Sequence, residues 1–478
     1  MYLRNLMSMD TEEMINAQPV DAVIMIGGCD KTVPAQLMGG ISANKPFLPL
    51  ITGLMMPGSV KGVRVGACTD CRNNWAKFRA GQIDVEDIMS VNDELAPTAG
   101  TCGVMGTAST MACITAALGL IDPKSGATSP AVSSARLRVA EDTGTNAVRI
   151  LENRQAFRPQ RLLAYENFMN AITVLQAMGG STNVIVHLMA IINRHPTVKG
   201  RINLQTFDEV GLTTPLYLNA QTYTGQTLGE LLDQTEFQAF DYSRQVVRPL
   251  NNSLHPSSSL VVLYGNLTPH GAVMKASAAK DMRLLEHVGK ACVFKNSNDL
   301  ANRIDSEDLG VTPDSVLVLQ DIGPVGNPGT PEAGLLPIPR QLSRQGVIDM
   351  LRISDGRMSG TAGGIIVLHV SPESADPESV LGIVEDGDRI TCNVRTRLLQ
   401  LEVDEVEIAR RKRARQATRS SMFGERVALG EGTLSLPRDA WQDRESTRGY
   451  RGLYERHVNQ AHEGCDFDFL TADGPKKA

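Results

Sequence analysis

The stretch DAVIMIGGCDK, residues 21–31, decides how the first half of the chain is read. Residues 21–26 form a short, continuous apolar run of the kind a buried strand requires, and Gly27-Gly28 stop it. Directly beyond the glycines stand a thiol, a carboxylate and an amine: Cys29, Asp30 and Lys31. The end of a strand is where α/β proteins usually hold ligands. Thiolate suits iron–sulfur or zinc chemistry, whereas carboxylate suits magnesium. Taken alone, Cys29 reads equally as a buried structural thiol.

Working outward, DTEE at 10–13 reads as a helix start with acidic residues in its first turn. The turn GTCG at 100–103 leads into 104–120, whose apolar spacing suits a buried helix. GGSTN at 179–183 offers cap residues before 184–193, an almost wholly apolar helix. This alternation predicts an α/β fold with a layered N-terminal domain over 1–215. From Ser258 the texture becomes β-rich, with runs at 260–264, 291–294, 315–319, 364–370 and 388–394 between Gly/Pro/Asp turns. A β-rich domain is therefore expected over 258–405. Residues 216–257 read as a linker or lobe, and 406–478 as a C-terminal helical tail. The basic run RRKRAR at 410–415 reads as a solvated helix face rather than a nuclear or nucleic-acid signal.

Composition narrows the function classes. With 478 residues, 42% hydrophobic and 21% charged, the chain has room for two or three domains and needs no disulfide staples. A net charge of −6 argues against a nucleic-acid-binding surface over the whole chain. No apolar run reaches the ~18–20 residues that span a bilayer, and MYLRNLMSMDTEEM places charges where a signal peptide needs an apolar centre. The eight cysteines, at 29, 68, 71, 102, 113, 292, 392 and 465, are expected to be reduced.

Further segments carry chemistry. Cys102 sits close to two glycines, far enough from Cys29 to exclude a local finger but not a site assembled in space. Cys68 and Cys71 form a CxxC with no second pair at zinc spacing, so a redox pair and two non-ligand thiols both remain open. GPVGNPGTPE at 323–332 is a rigid loop ending in Glu332. SDGRMSGTAGG at 354–364 sets Ser359, an Asp and an Arg among glycines, which let backbone approach a ligand closely. There is no GxSxG elbow, so a serine-hydrolase reading has little behind it.

Together these segments are specific. GGCDKTVPAQLMGG, GTCGVMGTASTMA, GGSTNVIVHLMAI, GNLTPHGAVMK, GPVGNPGTPE and ISDGRMSGTAGGIIVLHVSPE occur in the order seen in the dihydroxy-acid dehydratase / phosphogluconate dehydratase family. MYLRNLMSMDTEEM, GACTDCRNNW and RGYRGLYERHVNQAHEGCDFDFL resemble its sugar-acid (L-arabinonate-type aldonate) dehydratases. The resemblance implies a site between the α/β domain and a barrel-like, swivelling β-rich domain. It implies an iron–sulfur cluster, often 2Fe–2S, held through three cysteines, two of them matched by Cys29 and Cys102. It implies Mg²⁺ on acidic residues, here Asp30 and Glu332, with Lys31 matching a lysine that can be carbamylated to serve as a ligand. Ser359 matches the proposed base. The implied reaction is dehydration of a 2,3-dihydroxy acid to a 2-oxo-3-deoxy acid.

Two departures accompany the resemblance. In the family a segment before the position of Met1 supplies the first cluster cysteine and another acidic Mg²⁺ ligand, and relatives carry a longer stretch between Asn219 and Ala220. The expectations are therefore a sugar-acid dehydratase, a dihydroxy-acid dehydratase of branched-chain amino acid biosynthesis, or a truncated inactive paralogue or structural subunit. The expected partners are a small-molecule acid and further copies in a dimer or tetramer, with no nucleic acid and no membrane. The expected compartment is the cytoplasm, or the mitochondrion if a leader has been lost.

Overall fold

The computed structural model describes residues 1–67, 69–236, 248, 250–255, 258–360, 363–428 and 448–474, with side chains described to residue 417 in the helix that ends at 428. The chain opens with helix α1 (Tyr2–Ala17), strand β1 (Val23–Gly27), helix α2 (Thr32–Ala43) and strand β2 (Phe47–Ile51). β1 and β2 run parallel, with Val23 opposite Phe47 and Gly27 opposite Ile51, so α2 is a crossover helix. The hairpin β3 (Gly58–Val60) and β4 (Val63–Val65) follows. Next come α3 (Thr69–Arg79), α4 (Val85–Asp93), α5 (Thr107–Ala117), α6 (Ser134–Arg149), α7 (Pro159–Leu162) and α8 (Tyr165–Met178). The half closes with α9 (Asn183–Asn193), α10 (Leu204–Thr213) and α11 (Leu228–Gln234). Every residue from Asn183 to Ile192 is buried, which is why that run carries no polar face. The segment after α10 folds onto α8: Asn170 and Tyr217 exchange hydrogen bonds of 2.9 and 2.7 Å.

One local expectation fails. The helix starts at Tyr2, not at residue 10, and DTEE lies inside it. Arg4, Asn5 and Ser8 face inward, and Asn5 Nδ2 donates to the Cys465 carbonyl at 2.8 Å. Contacts with the far end of the chain thus set the helix start in place of an acidic first turn.

The second half is built on strands β5 (Leu260–Leu263), β6 (Ala272–Lys275), β7 (Glu286–Phe294), β8 (Val316–Leu319), β9 (Arg352–Ser354), β10 (Ile366–Leu368), β11 (Arg389–Asn393) and β12 (Leu398–Leu401). Helices α12 (Ser297–Arg303) and α13 (Arg340–Arg344) lie in its connections. The spatial order is β12-β11-β7-β8-β9-β10-β6-β5. Tyr264 then joins the two edges: its N–H donates to the Arg397 carbonyl at 2.8 Å and its carbonyl accepts from Leu399 at 2.7 Å. The sheet is thereby nearly closed into a barrel, as expected of a β-rich domain. Strands buried on both faces read as unbroken apolar runs. In β8, Val316 and Val318 join the barrel interior, while Leu317 and Leu319 pack outside it with Phe294, Leu336 and Met350.

Helices α14 (Glu405–Ala428) and α15 (Gly449–His457) complete the chain. The basic run is only partly a solvated face. Arg411 and Arg415, one helical turn apart, point to the barrel: Arg411 pairs with Asp388 at 2.6 Å, and Arg415 donates to the Asp376 carbonyl at 3.0 Å. Arg410 pairs with Glu407 on the open side. Beyond α14, the segment 448–474 returns to the N-terminal half. Arg194 on α9 forms a fully buried pair with Asp466, at 2.7 and 2.9 Å. Tyr2 and Phe467 each pack edge to face on Tyr450, and Phe467 also on Tyr454. Among the described residues no helix is long and apolar enough to cross a membrane.

Candidate active site at the seam between the two halves

The parallel strands of the first half continue as single hydrogen bonds past their regular ends. Thr52 N–H donates to the Gly27 carbonyl at 3.1 Å, Thr101 N–H to Gly53 at 3.0 Å, and Met55 N–H to Thr101 at 2.8 Å. This ladder carries the Cys102 segment to the edge at which Cys29 emerges. Gly28 is required there, because a Cβ would overlap Thr52 Oγ1 and lie 2.8 Å from Thr101 Cγ2. Chain segments 73 residues apart in sequence are thus neighbours, as the spacing of Cys29 and Cys102 allowed.

Lys31 immediately precedes α2 and its Nζ ion-pairs with Asp30. The same Nζ stands 3.9 Å from Glu332 Oε1, which comes from the 323–332 loop of the barrel half. Glu332 Oε1 also accepts from Arg357 Nη1 at 2.5 Å and from Asn183 Nδ2 at 2.9 Å. Asn183 Nδ2 reaches Thr107 Oγ1 at 3.2 Å, and Thr107 meets Ser181 Oγ at 2.8 Å. The first turns of α2, α5 and α9 therefore converge with two barrel loops on one group of charges. Ser359 sits on the second loop, nearly buried, and the adjacent Gly360 lies flat against Ser181. An added Cβ on Gly360 would be 2.5 Å from Ser181 Cα, so only glycine lets this loop touch the turn before α9.

The charges tune one another. Burial lowers the Lys31 ammonium, and Arg357 lowers it further. Burial alone would raise the Asp30 carboxyl, but Lys31 and Arg357 outweigh it and hold the carboxyl below its ordinary value. Burial, and then the neighbouring Asp30, pushes the Cys29 thiol up. His187, one turn into α9, is held neutral, with its pKa well below the usual value, by burial and then by Lys31, Arg4 and Arg357. Asn183 Oδ1, Thr182 Oγ1 and His187 Nε2 are buried with no hydrogen-bond partner among the described residues. Buried polar atoms are nearly always satisfied, so three orphans at the start of one helix mark a place that receives polar groups from outside.

The donor set fits one of the two expected metals. Asp30 and Glu332 both face Lys31 Nζ, so two hard oxygen donors flank a point that the ammonium now holds and that a metal ion would take in its place, beside Asn183. That suits Mg²⁺. An iron–sulfur cluster usually takes four thiolates. Cys29 and Cys102 supply two, and no group of three or more His, Cys, Asp or Glu side chains is arranged around a metal position among the described residues. The described thiols do not complete a cluster, and no step is derived through one.

The remaining described cysteines are mostly structural. Burial pushes the Cys292 thiol, packed outside the barrel with Phe294 and Leu317, up to about 11 and the Cys392 thiol inside it up to about 12, and Cys465 is buried against Thr330. Cys68 lies outside the described residues, and with it the CxxC reading. Sequence reasoning placed Asp30, Lys31, Glu332 and Ser359 in one site and left out Asn183, Thr182, His187 and the role of Arg357. Asn183 had been read as a cap residue, but its side chain caps nothing and turns to Glu332. The available signal was a run of polar residues entering a helix otherwise wholly apolar.

The sequence is similar to those of several known dehydratases. The chain is 37% identical to 6-deoxy-6-sulfo-D-gluconate dehydratase of Pseudomonas putida, over 99% of this chain and 81% of that protein. It is 38% identical to L-arabonate dehydratase of Azospirillum brasilense, over 98% and 82%. It is 33% identical to dihydroxy-acid dehydratase of Caldicellulosiruptor bescii, over 85% and 77%. The match to the Azospirillum protein runs over 504 positions, more than the 478 residues of the chain, so that relative carries insertions within it. Residues 1–235 match the dihydroxy-acid/6-phosphogluconate dehydratase N-terminal family model, and residues 245–465 match its C-terminal counterpart. With both halves matched and the charged site lying where they meet, the chain belongs to the dihydroxy-acid/6-phosphogluconate dehydratases, a family of hydro-lyase enzymes.

Proposed function

We propose that this chain removes water from a 2,3-dihydroxy sugar acid to give a 2-oxo-3-deoxy acid. The observation that carries the reading is the convergence of Asp30, Lys31, Glu332 and Arg357, with Ser359 on the adjoining loop, where the two halves meet. Two relatives are by name dehydratases of sugar acids, which supports that class over branched dihydroxy acids.

The residues have separable tasks. Lys31 and Arg357 attract the substrate carboxylate into a largely desolvated pocket, where charge–charge attraction is strong. Glu332 is locked by Arg357 and Asn183, so its carboxylate costs little to orient. Asp30 and Glu332 would hold a Mg²⁺ ion, which would supply Lewis acidity and stabilise enolate-like charge. Ser359, held by the loop that abuts Ser181, takes the C2 proton as its alkoxide and returns it to the departing C3 hydroxide, which leaves as water, and the enol then becomes the 2-oxo acid. Asn183 Oδ1 and Thr182 Oγ1 remain to accept hydrogen bonds from substrate hydroxyls. Cys29 and Cys102 are the two thiols this chain offers to a cluster.

The test is 2-oxo acid formation by the purified full chain with Mg²⁺, on L-arabinonate, D-gluconate and 2,3-dihydroxyisovalerate. Product from a sugar acid is expected. Glu332→Gln and Ser359→Ala should each lower kcat by about 10²–10⁴-fold while the protein stays folded. Turnover of dihydroxyisovalerate with none of the sugar acids assigns the chain to the branched-chain reaction. A folded protein inactive on all three assigns it a non-catalytic role.

A further inference from the structure

Alternation along β5 and β6 turns one face of these strands into the barrel and the other to the first half of the chain. Val261, Leu263, Ala272 and Met274 belong to the barrel core, whereas Leu260, Val262 and Val273 join the core of the first half. Lys275 ends β6 opposite Leu260 and continues the Val273 face, so its side chain enters the seam. There its Nζ donates to the Gly360 carbonyl at 3.4 Å, on the loop that presents Ser359. Gly360 in turn abuts Ser181, and Gly179 lies against Ser259 and Ser277. The elements that meet there, residues 179–182, 258–260 and 276–278, carry no ionisable side chain. The other charges along the loop stand elsewhere: Arg357 faces Glu332, Lys280 lies at Gly363, and the paired Arg352 and Asp349 lie at Gly364. Lys275 is half-buried, burial lowers its ammonium from the ordinary value, and no carboxylate among the described residues offsets this.

We infer that Lys275 is a positioning residue for the dehydration: it holds the Gly360 carbonyl, which fixes Ser359 in the seam, and sets a positive charge beside the place where Ser359 becomes an alkoxide. The inference rests on the proposed role of Ser359 as the base. An ammonium carries three donors, and this one has a single carbonyl as acceptor, so no anion neutralises it. A fixed cation with little water around it stabilises an anion formed nearby far more than it would in bulk solvent. Serine is a very weak acid, and an opposite charge within about 4–6 Å favours the charged form of its neighbour by about tenfold or more. Lys275 thus acts through Ser359, one peptide unit away from the carbonyl it holds.

The experiment measures kcat, KM and their pH profiles for the full chain with Mg²⁺, on the acid that it dehydrates, in wild type, Lys275→Met and Lys275→Arg. Methionine keeps the length and removes the charge, so kcat should fall about 10²-fold with KM little changed. The rising limb of kcat against pH should move up by about one pH unit, because the alkoxide has lost its neighbouring cation. Arginine keeps the charge and should keep the wild-type limb with most of kcat. Unfolding midpoints establish that each variant folds, and where methionine is not accommodated Lys275→Gln takes its place. An unmoved limb, an equal loss in the arginine variant, or an unimpaired methionine variant overturns the inference. If the wild-type chain turns over no acid, the functional reading fails separately, and labelling of Ser359 by a fluorophosphonate, followed by peptide mass spectrometry against pH, decides. A labelling limb about one pH unit higher in Lys275→Met supports the inference, whereas coincident limbs, or a wild-type serine that does not react, overturn it.

Discussion

Replacing Asp466 with alanine should destabilise the whole molecule although it lies outside the reaction centre. Asp466 and Arg194 are both fully buried and joined by two short hydrogen bonds, 2.7 and 2.9 Å. Each charge-assisted bond contributes about 1.5–3 kcal/mol, and removing one partner strands the other charge without solvent. Stranding a buried charge typically costs about 3–5 kcal/mol. Two neighbours soften the loss: Ser8 Oγ stays at 2.8 Å from Arg194 Nη2, and Glu12 Oε2 lies 3.8 Å from Nη1. The expected cost is therefore at the lower end, about 3 kcal/mol. The assay is urea unfolding followed by far-UV dichroism and by fluorescence, whose coincidence checks for a single transition. The double variant Arg194→Met/Asp466→Leu removes both charges and fills the space, so it should recover most of the loss. A single-variant loss under about 1 kcal/mol, or a double variant no more stable than the single, would refute the claim that a desolvated charge pair holds the C-terminal segment to α9.

Two further outcomes are expected. His369 is buried with both ring nitrogens unpartnered among the described residues, and burial, then Arg357, lowers its pKa to about 3. The unfolded chain binds this proton from about pH 6.5 downward while the folded chain does not, so the contribution is complete above pH 6.5 and is lost as pH falls towards 3. Between pH 7.5 and 5.5 wild type should lose about 1.4 kcal/mol more than His369→Asn, which tolerates the φ of +57° at this position; equal losses in urea titrations would contradict this. Gly360→Ala places a methyl 2.5 Å from Ser181 Cα, so the Ser359 loop must withdraw from the turn before α9. Dehydratase kcat should fall at least tenfold with little change in far-UV dichroism, and an unimpaired variant would show that this contact does not position Ser359.

Much of the site was legible because its residues sit where local sequence is most constrained. Gly27-Gly28 must end a strand whatever surrounds it, so Cys29, Asp30 and Lys31 were bound to appear at a strand end. The glycines at 356 and 360 likewise marked a loop built for close approach, with Ser359 and Arg357 inside it. Strands β6, β9 and β12 went unread because Lys275, Arg352 and Gln400 interrupt their apolar runs, and their stability comes from neighbours distant in sequence. The start of α1 was misplaced for the same reason, since Arg4 and Asn5 are satisfied by carbonyls at 464 and 465.

Motif order and apolar runs by themselves determined the family, the α/β-then-β plan and the chemical types at 29–31, 332 and 359. These depend on local pattern, which a single chain displays directly. Tertiary structure alone decided that Tyr264 closes the barrel, that Asn183 and Arg357 orient Glu332, and that Asp466 is paired with Arg194. Each of these joins residues far apart in sequence, and whether a polar side chain is buried, paired or orphaned is settled only when the groups around it are in place.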